Sequence, residues 1–163
     1  MKNFYQITFC LLLFLIACKD SSKEVKPLVQ ENQKTEVKGI KLPGLPIEIR
    51  NKLMKEATAV DYSWNNLPLS MSMGIEDGLR QNISFISTEI PEVIPAYCRP
   101  VAHKYFSVGG DVYLDADVYL TEGCFFYVFV DGSKPIYANV ITAEGINFYN
   151  QVLSRSVPKP TPK

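Results

Sequence analysis

Between residues 102 and 141, apolar and polar side chains alternate in four runs, each closed by a turn signal. The run 102–108 meets Gly109-Gly110, 111–121 meets Glu122-Gly123, 124–130 meets Asp131-Gly132-Ser133, and 135–141 meets Thr142. A period of two sends successive side chains to opposite faces of a strand, and the short connections favour antiparallel neighbours, so a four-stranded meander is expected. The run 124–130 is apolar on both faces, with Phe125, Tyr127 and Phe129 opposed to Phe126, Val128 and Val130. Such a strand either lies centrally with both sides covered or presents an aromatic patch for binding. Thr142 is placed to cap a closing helix over about 143–154, where Ile146, Tyr149, Val152 and Leu153 form one apolar stripe.

Ahead of the meander, Ile49, Leu53, Met54, Ala57 and Val60 recur at helical spacing behind Pro46, a residue suited to a first helical turn. A helix over about 46–59 follows. Two readings of the next stretch stand side by side. Val60, Tyr62 and Trp64 alternate, as do Leu67, Leu69, Met71 and Met73, which suits a hairpin around Asn65-Asn66; equally, Pro68 cannot donate to a central ladder, which suits a loop over 67–73. Ile75, Leu79, Ile83 and Ile86 favour a second helix near 76–87 despite Gly78, and Pro91, Pro95 and Pro100 make 90–101 turn-rich. The fold class is α+β: an N-terminal helix, an antiparallel four-stranded meander, and a C-terminal helix packed on the sheet. The order helix, meander, helix resembles cystatin-like folds, a likeness of architecture that carries no activity with it.

Composition changes this picture mainly at the ends of the chain. Lys2 precedes an apolar stretch from Ile7 to Ile16, too short for the roughly 20 apolar residues of a spanning helix, and the stretch ends in Leu15-Ile16-Ala17-Cys18. This resembles the processing site of bacterial lipoproteins: an aliphatic residue, a tolerant position, a small residue, then the cysteine that is lipidated. The resemblance implies removal of residues 1–17, a diacylglyceryl thioether on Cys18 with an acyl chain such as palmitate on its amine, and stable attachment to a membrane, since each buried CH₂ contributes about 0.8 kcal/mol. The following Lys19-Asp20-Ser21-Ser22-Lys23-Glu24 resembles in part the export tag of Bacteroidota surface lipoproteins, which implies an outer-membrane address. Residues 18–43 are polar with few large apolar side chains and read as a tether. A single domain is expected over 44–157, with a proline-rich extended tail over 158–163. Lysine plus arginine and aspartate plus glutamate are equal at 17 each, so no long-range field favours nucleic acid.

Candidate chemistry is sparse. With Cys18 lipidated and Cys10 removed with the leader, Cys98 and Cys124 remain, and an exported compartment permits them to form a disulfide. The rival use, a metal site of Cys98, His103 and Cys124, has too few ligands at the wrong spacing, and no metal or other cofactor is expected. On the second strand, Tyr113, Asp115, Asp117 and Tyr119 share one face by parity, and this is the candidate binding face: carboxylates that hold hydroxyls or a cation, beside rings that stack on sugars. The bland alternative is a solvated sheet face. His103 and nearby Ser107 lack any nucleophile motif, and Met71 and Met73 read as core filler rather than copper ligands. The chain is therefore expected to be a lipid-anchored, non-catalytic envelope protein that binds a protein or glycan. An inhibitor or immunity-type protein, or an acid/base enzyme built on Asp115 and Asp117, are the alternatives.

Overall fold

A computed structural model describes residues 38–156. The leader, Cys18, the tether up to residue 37 and the tail 158–163 lie outside the described residues. The elements in chain order are β1 (Gly39–Ile40), α1 (Ile47–Glu56), β2 (Ala57–Trp64), β3 (Ser70–Gly74), α2 (Leu79–Ser84), β4 (Ile94–Pro95), β5 (Ala102–Val108), β6 (Asp111–Thr121), β7 (Cys124–Asp131), β8 (Lys134–Val140) and α3 (Ala143–Ser156). The fold is α+β, as the periodicity indicates.

The sheet, however, has six strands rather than four. Its order is β3-β2-β5-β6-β7-β8, every neighbouring pair antiparallel, while β1 and β4 form a separate two-stranded ribbon. The expected meander is the β5-to-β8 part. What extends it is the alternation of Val60, Tyr62 and Trp64, which places these residues in the core and lays β2 along β5 in the register Val60↔Phe106, Tyr62↔Lys104 and Trp64↔Ala102. Between β2 and β3 the chain turns through 65–69 rather than at Asn65-Asn66 alone, and Pro68 falls in that loop, where its missing donor is harmless. Gly78, at φ 96°, precedes α2 instead of interrupting it; this left-handed conformation favours glycine. The closing helix starts as expected: the Thr142 hydroxyl accepts from the Gly145 amide at 3.3 Å.

The three helices of the described residues pack on one face of the sheet. Leu53 of α1, Leu79 and Ile83 of α2 and Tyr149 of α3 join Val60, Tyr62, Trp64, Phe106, Leu114, Val118, Tyr127 and Phe129 in the main core. A second, smaller core lies on the opposite face, where Phe126, Val128 and Val130 of β7 and Ala138 of β8 meet Leu42, Ile94 and Cys98. The doubly apolar strand β7 is thus covered on both sides.

Reaching that second face requires the chain to pass the outer edge of β8 twice. On the way to α1, Pro43 accepts from the Ala138 amide at 2.9 Å; on the way out of α2, Glu89 accepts from the Val140 amide at 2.9 Å and the Ser87 amide donates to Val140 at 3.0 Å. Asn139 joins the two crossings, accepting from the Leu45 amide at 2.7 Å and donating to the Ser87 carbonyl at 2.9 Å. Residues 38–43, read from composition as the end of the tether, are therefore part of the fold. Their path is tight: a Cβ on Gly39 would clash with the Ile94 carbonyl oxygen.

Cys98 and Cys124 form a disulfide, with 6.0 Å between their Cα atoms. It ties the covering segment to the first residue of β7. Closing this loop restricts the unfolded chain and stabilises the domain by roughly 3–4 kcal/mol on the chain-entropy model. Reduction with a thiol, or replacement of both cysteines by alanine, is expected to lower the unfolding free energy by about that amount in urea titrations.

Candidate functional site: the uncovered half of the sheet

The face opposite the helices is divided along the β6–β7 boundary. One cross-strand row reads Ser70, Ser63, His103, Asp117 and then Val128; the next reads Ser72, Asp61, Tyr105, Asp115 and then Val130. The apolar ends of both rows lie beneath the disulfide-tied segment. The polar parts on β3, β2, β5 and β6 carry no such cover among the described residues.

His103 is at the centre of this open half. Its Nδ1 lies 2.8 Å from Asp117 Oδ1 and its Nε2 lies 3.1 Å from Asp115 Oδ2, and all three side chains are about a quarter exposed. The pairing follows from register, since His103 sits directly opposite Asp117 and Tyr105 opposite Asp115. A neutral imidazole donates from only one nitrogen, so the ring donates to both carboxylates only as imidazolium. The Tyr105 ring packs against the imidazole at 4.6 Å between centroids.

Tyr119 marks the boundary. Half-buried, its ring packs on Phe126 at 4.9 Å; burial raises its hydroxyl pKa above the ordinary value, the Asp117 carboxylate adds to the rise, and Arg99 opposes it. Tyr113 is separated from the other three expected residues. The register passes from Phe106↔Leu114 to Ser107↔Val112, leaving Tyr113 as the extra residue of a β-bulge, and the ammonium of Lys52 on α1 lies 4.3 Å above its ring. A bulge shifts side-chain parity, which strict alternation does not anticipate. The structure thus brings Asp115, Asp117 and Tyr119 together and adds His103 and Tyr105.

Beneath the open face, on the helix side, strand β5 carries Lys104. This residue is fully buried, and among the described residues its ammonium meets the rings of Phe106, Tyr127 and Tyr62 at 4.6, 4.7 and 5.3 Å and the Tyr149 hydroxyl at 3.4 Å, none of them an acid. Tyr149 also meets Tyr127 at 2.8 Å and Tyr62 at 3.4 Å, and Tyr62 donates to Asn82 Oδ1 at 2.5 Å. Ring faces favour an ammonium, but removing one from water without a counter-charge costs several kcal/mol, and burial wins: the Lys104 pKa falls well below its ordinary value. Burial also raises the pKa of Tyr62, Tyr127 and Tyr149, so it disfavours charge on every titratable member of the cluster. The one signal in the sequence was parity, since Lys104 lies between inward-facing Ala102 and Phe106.

Both thiols of the Cys98, His103 and Cys124 set are consumed by the disulfide, and among the described residues no group of three acids, histidines or cysteines is arranged to hold a metal ion. Met71 and Met73 pack against the main core. No helix among the described residues is long and apolar enough to cross a membrane. Compared with known proteins, the chain matches no protein-family model, no curated protein and no solved structure.

The lowered Lys104 pKa has a stability consequence of definite sign. As pH falls below about 10.4, the unfolded chain takes up a proton that the folded lysine refuses, so stability declines by up to about 1.4 kcal/mol per pH unit until the folded pKa is reached. Lys104→Met is expected to raise stability at neutral pH and remove this slope, measured by urea unfolding between roughly pH 7 and 9.

Proposed function

We propose that the protein is an exported, lipid-anchored component of the cell envelope whose open sheet face binds a polar polymer at the cell boundary, a glycan or a protein, without chemical turnover. The observation that carries this reading is the division of one sheet face into a half sealed by a disulfide-tied segment and a half lined by His103, Tyr105, Asp61, Asp115, Asp117 and serines. Carboxylates and hydroxyls carried on paired strands suit the hydroxyls of a sugar chain, and the rings of Tyr105 and Tyr119 suit stacking at its margins. Binding is favoured over acid/base catalysis because Asp115 and Asp117 each direct an oxygen to the same histidine, on a sheet surface rather than across a cleft. The address rests on the Leu15-Ile16-Ala17-Cys18 motif.

One observation supports the inhibitor or immunity-type reading. Tyr97 is 64% exposed beside Cys98, so an aromatic side chain stands out from a segment held by the disulfide, the form a protein-binding anchor takes.

Retention of the full chain on immobilised envelope polysaccharide is expected to fall about tenfold in a His103→Ala, Asp117→Asn double variant, with the unfolding midpoint little changed. Retention that survives this variant refutes the open-face reading, and loss of binding to an envelope protein on Tyr97→Ala supports the inhibitor reading instead. Detergent phase separation of the native product is expected to place it in the detergent phase, and Cys18→Ser in the aqueous phase.

A further inference from the structure

At one end of the sheet β6 outruns its neighbour. The strand begins at Asp111, whereas its pairing with β7 begins only at Asp115↔Val130. The bulge at Tyr113 lies on the β5 side of this end, and a second register shift, from Phe129↔Tyr137 to Val130↔Pro135, leaves Ile136 as an extra residue of β8. Two bulges beside a shortened pairing open a notch of about 400 Å³, lined among others by Ile49, Val112, Tyr113, Asp115, Asp131 and Tyr137.

The lining has a definite chemical bias. Tyr113 and Tyr137 supply ring faces, Ile49 and Val112 supply apolar surface, and the charged groups of the lining are the carboxylates of Asp115 and Asp131. Val112 is 61% exposed and Tyr113 36% exposed, so both are open to a ligand. A cation already tests one wall: the Lys52 ammonium lies 4.3 Å above the Tyr113 ring. Lys52 is itself exposed, and a cation–π contact at an exposed site is weak and readily exchanged.

We propose that this notch is a binding site for a guanidinium group on an aliphatic stem, with Lys52 as a resident competitor for the Tyr113 ring. The planar cation stacks on tyrosine and meets carboxylate oxygens edge-on, while its stem covers Ile49 and Val112; a compact ammonium satisfies the ring but not a planar, two-pronged acceptor. An anionic ligand would meet Asp115 and Asp131 unfavourably. The site meets the His103 face at Asp115, and its test avoids that shared residue.

The full chain, labelled with ¹⁵N, is titrated with arginine methyl ester and, separately, with its uncharged isostere citrulline methyl ester, following the amides of Tyr113, Asp131 and Gly132. Saturable shifts are expected with the arginine ester alone. Lys52→Ala is expected to tighten binding about threefold by removing the competitor, and Asp131→Asn to weaken it about threefold. An arginine-containing tripeptide amide that binds more tightly than the ester identifies a polypeptide side chain as the source of the guanidinium, and equal affinity identifies a free guanidinium compound. Equal shifts with the citrulline ester, no saturation with the arginine ester, or unchanged affinity in Lys52→Ala each overturns the proposal. Because the variants that test the notch, at Lys52 and Asp131, leave His103 and Asp117 in place, and those that test the open face leave Lys52 and Asp131 in place, failure here and failure of the open-face reading are separable.

Discussion

Strand β7 is apolar on both faces, and the rest of the architecture follows from the need to keep water from both. Helices supply cover on one side through Tyr127 and Phe129. The other side, with Phe126, Val128 and Val130, has no helix among the described residues, and residues 38–42 and 94–98 pass around the edge of β8 to seal it. Each passage removes backbone groups from water, and leaving them unpaired would cost about 1–3 kcal/mol apiece. The outer edge of β8 and the side chain of Asn139 satisfy them, which also closes that edge to other strands. The disulfide then holds the cover to the strand it protects.

That cover stops at the β6–β7 boundary, and the position of the boundary creates the candidate surface. Where the rows turn from Val128 and Val130 to Asp117 and Asp115, aliphatic side chains give way to carboxylates, which need no cover. The face can stay open, and it holds a histidine between two carboxylates. Its neighbour Lys104, one residue along the same strand, points into a cluster of tyrosines on the helix side. Adjacent residues on β5 therefore occupy opposite electrostatic settings, one beside two carboxylates and partly wet, the other buried and without an acid beside it among the described residues.

Local periodicity was a good guide wherever it was uninterrupted. The strands over 102–108 and 111–121 have the bounds that alternation predicts, and the stripe of Ile146, Tyr149 and Val152 marked the closing helix, which runs two residues further than expected. Periodicity failed at the bulge, where one extra residue took Tyr113 out of step with the alternation of Asp115, Asp117 and Tyr119. It was undecided over 60–74, because a short strand bearing methionines and serines beside a proline-containing loop has weak local preference; pairing with β5 settled it. The tether boundary was misplaced for a related reason, since Gly39, Ile40 and Leu42 gain their order from β4 and the second core rather than from their own composition.

By itself the amino-acid order determined which stretches alternate, which carry a helical stripe, that β7 needs shelter on both faces, and which two cysteines are free to pair within the domain. These are properties of near neighbours, set by backbone geometry and side-chain polarity. Only the tertiary structure decided that β2 joins the sheet beside β5, that the cover halts at β6, that His103 lies between Asp115 and Asp117, and that Lys104 is buried. Each of these depends on register between segments distant along the chain, and register is chosen by the packing of the whole core rather than by any window of sequence.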